Sequence, residues 1–282
     1  MTPKEITIFH SPDSDDAFMF YGLTCGAVSE PGYVFSHDLA DIETLNKRTL
    51  KGELDVTAVS VHAYAYLGGK YLIMPCGASM GGQDYGPKLV SRQALTLQSG
   101  RHYTIAIPGQ YTSAALAVRL FLKARGVDAE FVNIAFDQVQ HAVREGKVDC
   151  GIIIHEGQLT HEREGLQLVV DLGAWWWGET KLPLPLGVNV IRKDLGNETI
   201  RACTKVLKES IEYGLSHRPE AIAYALQYGR GITPEQADTF VGMYVNELTC
   251  DLGVNGRASI ELFLEKGRAQ GFIPAGVRAE FV

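Results

Sequence analysis

Residues 103–126 read YTIAIPGQYTSAALAVRLFLKARG, and this stretch decides the fold class. The segment 103–109 is a short apolar run stopped by Pro108 and Gly109, the pattern of a buried strand. From Thr112 the apolar residues recur at helical spacing as far as the terminal Gly126. The same unit recurs along the first two thirds of the chain. EITIFHS (5–11) is a strand and DDAFMFYGLTCG (15–26) a helix. ELDVTAVS (53–60) is a strand and VHAYAYL (61–67) the helix after it. AEFVNIAF (129–136) is a strand, DQVQHAVREGK (137–147) a helix opened by Asp137 as N-cap, and VDCGIII (148–154) a strand. Repeated strand–helix units imply an α/β fold with largely parallel, covered sheets.

From about residue 194 four helical patterns follow with no strand between them. Such a helical third cannot build its own sheet, so it is expected to pack on an earlier lobe. The segments 85–95 (YGPKLVSRQAL) and 182–195 (LPLPLGVNVIRKDL) are extended, proline-marked and apolar. Both read as crossings between lobes. The expected division is residues 1–92 with 189–282 in one lobe and 93–188 in the other, hinged by two crossover strands.

Composition narrows the function. The 282 residues carry a net charge of −7, which disfavours nucleic acid and anionic membrane surfaces as partners. The expected partner is a small-molecule carboxylate, and the expected state a monomer or homodimer. Five cysteines at wide spacing, with no CxxC, argue against a disulfide framework or a zinc site. The opening MTPKEITIFHSPDSDD has no apolar signal core, so a cytoplasmic location is expected. No apolar run is long enough to span a bilayer.

In open α/β sheets ligands bind beyond the carboxyl ends of the strands. Four strands end on polar groups: Ser11, Ser60, the pair Thr112 and Ser113, and His155. Two of these strands fall in each lobe, so the groups can face one another across a cleft. Thr112 and Ser113 open a helix whose first amides suit an anion, and Gly109 permits close approach. The competing reading is that these hydroxyls only cap helices. Asp13, Asp15 and Asp16 crowd another helix start, where dipole stabilisation is the simpler account. Asp16 is the one expected to reach a hydroxyl-rich ligand, and no metal site is expected. His155 follows the apolar run CGIII, and an imidazole with its ordinary pKa of ~6.5 suits general-base work. Three consecutive tryptophans at 175–177 read either as a strand edge or lobe contact, or as an aromatic wall for a flat ligand with Trp176 as the candidate.

The ordered set SPDSDDAFMFYGL, DIETLN, VSVHAYAYL, IPGQYTSA, GIIIHE, VVDLGAWW and LPLPLG resembles the 1,4-dihydroxy-6-naphthoate synthases of the futalosine route to menaquinone. The resemblance runs over most of the chain and is weakest in the C-terminal helices. It implies the two-lobed fold of type II periplasmic binding proteins. It implies cofactor-free cleavage of cyclic dehypoxanthine futalosine: a base removes a proton beside the ring ketone, the sugar-derived portion leaves, and aromatisation drives the step. By this resemblance the base is His155 of IIHE, and Ser60, Thr112 and Ser113 hold the ligand. One departure is the acid-rich SPDSDDAF where relatives often read SPCPNDTF; Asp16 matches and Asp15 does not. Chorismate dehydratase of the same pathway shares the fold, but its PYLN-like opening is absent. A non-catalytic solute-binding protein is the alternative from another class.

Overall fold

The computed structural model describes residues 2–229 and 231–282. The chain opens with β1 (Lys4–His10), α1 (Ser14–Met19), α2 (Tyr21–Thr24), β2 (Tyr33–Leu39), α3 (Ile42–Leu50), β3 (Val56–Ser60), α4 (Val61–Tyr64), β4 (Tyr71–Ile73) and β5 (Ser79–Gly81). It continues through β6 (Lys88–Ser91), β7 (His102–Ile107), α5 (Ser113–Ala124), β8 (Asp128–Asn133), α6 (Val139–Arg144), β9 (Cys150–Ile153), α7 (Gly157–Thr160), β10 (Gln167–Asp171) and α8 (Leu172–Thr180). β11 (Leu184–Arg192) then leads to α9 (Asn197–Ser216), α10 (Arg218–Ala225), α11 (Pro234–Tyr244), α12 (Glu247–Cys250) and α13 (Gly253–Ala269).

Two sheets result. The first has the order β2-β1-β3-β11-β4, with β5 on β11; the second has the order β10-β6-β9-β7-β8. β1 runs parallel to β2 and β3, and β7 runs parallel to β8 and β9. The carboxyl ends of β1 and β3 therefore share one edge, and those of β7 and β9 share another. Neither sheet is wholly parallel, because β11 runs antiparallel to β3 and β6 antiparallel to β9.

Those two antiparallel strands lie in the segments read as crossings. β6 sits within 85–95 and belongs to the second sheet, while β11 sits within 182–195 and belongs to the first. The passages themselves fall earlier, at 82–87 and at 172–183, so the sheets divide the chain a few residues before 93 and 188. Extended apolar sequence looks alike in a crossing and in a ladder, which is why the pattern did not separate them. The passages run side by side: Leu172 N donates to Pro87 O at 2.9 Å. A Cβ on Gly173 would stand 2.0 Å from the Tyr85 carbonyl oxygen, so only glycine allows this approach.

Apolar periodicity places the core as expected elsewhere. Ile200, Cys203, Leu207 and Ile211 of α9, with Ala221 of α10 and Val241 of α11, pack on Ile6 and Ile8 of β1 and on Phe18 of α1. Helices α9–α11 thus complete the first lobe, while Ile260 and Phe263 of α13 pack in a cluster with Leu116 and Trp176 of the second. Two local expectations fail. Asp137 is not an N-cap: Phe136–Gln138 form a 3-10 turn and Gln138 precedes α6 without a side-chain cap. The three tryptophans lie on helix α8, not on a strand edge.

Candidate active site

One cavity lies between the carboxyl ends of the two sheets. It is lined from the first lobe by Ser11, Asp13, Asp15, Asp16, Ser60 and Ser79, and from the second by Thr112, Ser113, Ile154 and Gln158. Phe240 and Tyr244 of α11 complete it. The structure thus brings Ser11, Asp16, Ser60, Thr112 and Ser113 together.

Their hydrogen bonds decide what each can offer. Thr112 is the N-cap of α5: its hydroxyl accepts from Ala115 N at 3.2 Å and donates to Gly109 O at 2.9 Å. Ser113 Oγ donates to Leu186 O and accepts from His62 N at 3.3 Å. Both hydroxyl hydrogens are therefore committed to the protein. What this end of α5 still offers is backbone: among the described residues the Ser113 and Ala114 amides, in the first helical turn, have no backbone acceptor. Ser60 differs. Asn46 binds it twice, with Ser60 N donating to Asn46 Oδ1 at 2.9 Å and Asn46 Nδ2 donating to Ser60 Oγ at 3.1 Å. The hydroxyl hydrogen of Ser60 finds no protein acceptor among the described residues. These donors, two amides and one hydroxyl, suit a carboxylate.

The first-lobe wall is also acidic. Asp16 Oδ2 accepts from Ser11 N at 2.9 Å, and Ser11 Oγ donates to Asp13 Oδ2 at 2.9 Å. Burial pushes the Asp16 carboxyl up to about 6. Burial also pushes Asp15 well above the usual carboxylate range, and repulsion from Asp16, Asp13 and Glu156 adds to the effect. Ser79 Oγ lies 3.4 Å from Asp15 Oδ2. Among the described residues no three His, Cys, Asp or Glu side chains converge as a cation site.

His155 follows β9 and sits at the cavity's second-lobe wall. Its chain neighbours Ile154 and Gln158 line the cavity, but its own ring, in a residue 7% exposed, is not part of the lining. Phe136 meets the ring edge-on at 5.7 Å. Gly157 N donates to His155 Nδ1 at 3.0 Å. A neutral ring that accepts at Nδ1 carries its hydrogen on Nε2, so its one lone pair is engaged by the Gly157 amide. The Glu156 carboxylate stands 4.0 Å from that atom.

Three contacts tie the lobes together across the cavity. Glu156 accepts from both the amide and the hydroxyl of Ser14 in the first turn of α1. Tyr244 OH donates to Gln158 Oε1 at 2.8 Å. Glu43 of α3 accepts from Gln110 N at 3.1 Å and from Tyr111 N at 3.2 Å. Gly109 serves this last contact rather than a ligand: a Cβ there would stand 2.5 Å from the Glu43 carboxyl carbon. Gly109 is outside the cavity lining.

Trp176 is likewise corrected. It is 0% exposed, packs edge-on against Phe263 at 5.3 Å and donates Nε1–H to Ser259 Oγ at 3.3 Å. It is a core residue, and the aromatic groups of the cavity are Phe240 and Tyr244. Sequence reasoning missed these two, together with Ser79, Gln158 and Glu43. Phe240 and Tyr244 fall four residues apart on a helix already recognised by its apolar period, and nothing in that period marks them as facing a ligand.

Comparison with known proteins adds a family. A family model described as menaquinone biosynthesis matches residues 6–269. A 1,4-dihydroxy-6-naphthoate synthase from Thermus thermophilus is 36% identical over 272 residues, covering 96% of this chain and 97% of its own. One from Streptomyces coelicolor is 34% identical over 278 residues, covering 98% and 97%. A crystal structure of an Archaeoglobus fulgidus protein superposes with a TM-score of 0.89 at 42% identity, covering 95% of this chain and 98% of that one. The periplasmic aliphatic sulphonate binding protein of Escherichia coli superposes with a TM-score of 0.67 at 11% identity, covering 98% and 90%. This last likeness concerns the fold alone, the two-lobed periplasmic-binding-protein type.

Proposed function

The chain belongs to the menaquinone biosynthesis family, and from that premise we propose that it acts as a 1,4-dihydroxy-6-naphthoate synthase. The proposed reaction is the cofactor-free cleavage of cyclic dehypoxanthine futalosine. The observation that carries the reading is the cavity itself: its lining combines uncommitted donors at α5 and Ser60 with the Asp13, Asp15 and Asp16 carboxyls, and Ile154 and Gln158, which flank His155, form part of its wall. A carboxylate-bearing ring system suits that polarity. Its anion binds at the α5 end, away from Asp15 and Asp16.

In this reading substrate binding releases Nδ1 from the Gly157 amide, His155 Nδ1 takes the proton beside the ring ketone, and the electron pair moves onto the ketone oxygen. Glu156, 4.0 Å away, then faces the imidazolium. General-base help of this kind contributes ~10²–10⁴-fold to the rate. The cavity, about 100 Å³, is far smaller than the ~300–1,000 Å³ of a pocket for a drug-sized ligand. The lobes therefore part to admit substrate. Parting breaks the Glu156–Ser14 and Gln158–Tyr244 contacts, which frees the turn that carries His155. Closure then shields the enolate from water.

The test is incubation of purified protein with cyclic dehypoxanthine futalosine and, separately, with chorismate. Formation of the dihydroxynaphthoate supports the proposal. Turnover of chorismate alone would assign the chain to the dehydratase reaction. Turnover of neither, with tight binding of an unrelated solute, would make it a binding protein.

A further inference from the structure

Gln158 is a cavity-lining side chain held from both lobes. It lies in α7, and its backbone is locked: its amide donates to His155 O at 2.9 Å, and its carbonyl accepts from Lys88 Nζ at 3.0 Å and His161 Nδ1 at 3.0 Å. Its side-chain oxygen accepts from Tyr244 OH across the cleft. Tyr244 is packed edge-on by Phe240 at 5.0 Å and Tyr85 at 5.6 Å, so the phenol has little freedom to move. Gln158 is 1% exposed. Its Nε2 nevertheless donates to no protein acceptor among the described residues. An amide N–H₂ that faces a cavity without a protein acceptor is free to donate to a bound group. Because Gln158 lines the cavity, the group that can satisfy it is one bound there.

We infer that Gln158 is a specificity-determining residue, donating a hydrogen bond to an uncharged ring oxygen of the ligand, a ketone or a phenol, and aimed by Tyr244 only when the lobes close. This rests on the function proposed above. An uncharged oxygen is preferred because the ligand's carboxylate is drawn to the α5 amides and repelled by the Asp15 and Asp16 wall. Gln158 stands on the same turn as His155. A donor there also meets the negative charge that develops on the ketone oxygen as the proton leaves. The link to Tyr244 makes site assembly depend on closure: with the lobes apart, the amide loses the contact that fixes which end faces the cavity.

Two probes separate the oxygen contact from general packing. They are 1,4-dihydroxy-6-naphthoate, which carries ring oxygens, and 2-naphthoate, which does not. In Gln158→Leu, affinity for the dihydroxy compound is expected to fall about 5–10-fold, the loss of one neutral hydrogen bond. Affinity for 2-naphthoate should be unchanged, and kcat should fall by more than KM rises. Tyr244→Phe should show the same pattern at smaller amplitude, and should add nothing in the Gln158→Leu background. If Gln158→Leu does not fold, Gln158→Met is the replacement. Equal losses for both probes, or no loss for either, would overturn the inference. Wild-type protein that binds both probes but forms no product would overturn the proposed reaction, while the ratio of the two affinities would still decide Gln158. Wild-type protein that binds neither would overturn both.

Discussion

Replacing Gly109 by alanine is expected to loosen the closed clamp while leaving each lobe folded. The added methyl would stand 2.5 Å from Glu43 Cδ and Oε2 and 2.7 Å from Cγ. Gly109 does not occupy the left-handed region, so the backbone itself accepts alanine. The group that must yield is the end of a flexible side chain, and it yields by leaving the Gln110 and Tyr111 amides. Hydrogen bonds to a charged acceptor contribute about 1.5–3 kcal/mol each. Glu43 is only 8% exposed, but Lys47, 3.6 Å away, shares its charge, so the lower value applies and the pair amounts to about 3 kcal/mol. That energy is present only with the lobes closed. Its loss lowers the closed-to-open ratio about 100-fold, and ligand affinity falls with the closed fraction. Solution scattering of the ligand-free protein reads the first effect as an increased radius of gyration. Calorimetric titration with 1,4-dihydroxy-6-naphthoate reads the second. Glu43→Ala should reproduce both, and Gly109→Ala in that background should add nothing, because the clashing group is gone. The reasoning is refuted if Gly109→Ala matches wild type in both measurements while Glu43→Ala does not, or if the two changes are additive.

Other expectations follow from the same geometry. Thr112→Ala removes a helix cap and should lower stability by about 1 kcal/mol, read as a reduced Tm, with ligand affinity nearly unchanged. Ser60→Ala should weaken ligand binding about 5–10-fold and, because it strands the buried Asn46 Nδ2, should also lower stability by about 1–3 kcal/mol. Trp176→Ala should destabilise the protein by about 3–5 kcal/mol, as expected for emptying a fully buried indole site, with denaturant midpoints as the measure. Burial lowers His62 from 6.5 to about 4. The unfolded chain therefore takes up a proton first as pH falls, and stability is lost between about pH 6.5 and pH 4. At about pH 4.5 this single group accounts for about 2–3 kcal/mol. His62→Gln should flatten that part of the stability–pH curve by a similar amount, and an unchanged curve would contradict the assignment.

The parts of this fold that were legible in sequence are those governed by local period. Buried runs such as CGIII and strand–helix units such as 103–126 set the sheets, and their ends brought Ser11, Ser60, Thr112 and Ser113 to one cavity. β2 and α3 were not read as elements. Residues of β2 alternate between exposed and half-buried, and α3 carries the polar sequence IETLNKRTL, so neither offers the apolar content that marked the other elements. The lobe boundaries slipped because a strand that crosses and a strand that pairs have the same composition. Trp176 was misplaced because three adjacent indoles suggest a surface feature, whereas helix geometry turns one of them fully inward. Glu43, Gln158 and Tyr244 were out of reach for a different reason. Their importance lies in contacts between lobes, over 67, 86 and more residues of separation, and no local pattern encodes such pairings. The role of Thr112 was legible only as an alternative, and the two hydrogen bonds on its hydroxyl settle that alternative in favour of the cap.

The most direct measurement is single-turnover conversion of cyclic dehypoxanthine futalosine by wild-type protein and by His155→Asn, alongside product affinity for each. If the imidazole is the base, wild type releases 1,4-dihydroxy-6-naphthoate, while the variant binds it with similar affinity and loses about 10²–10⁴-fold in rate. A variant that turns over within a few-fold of wild type would contradict the account.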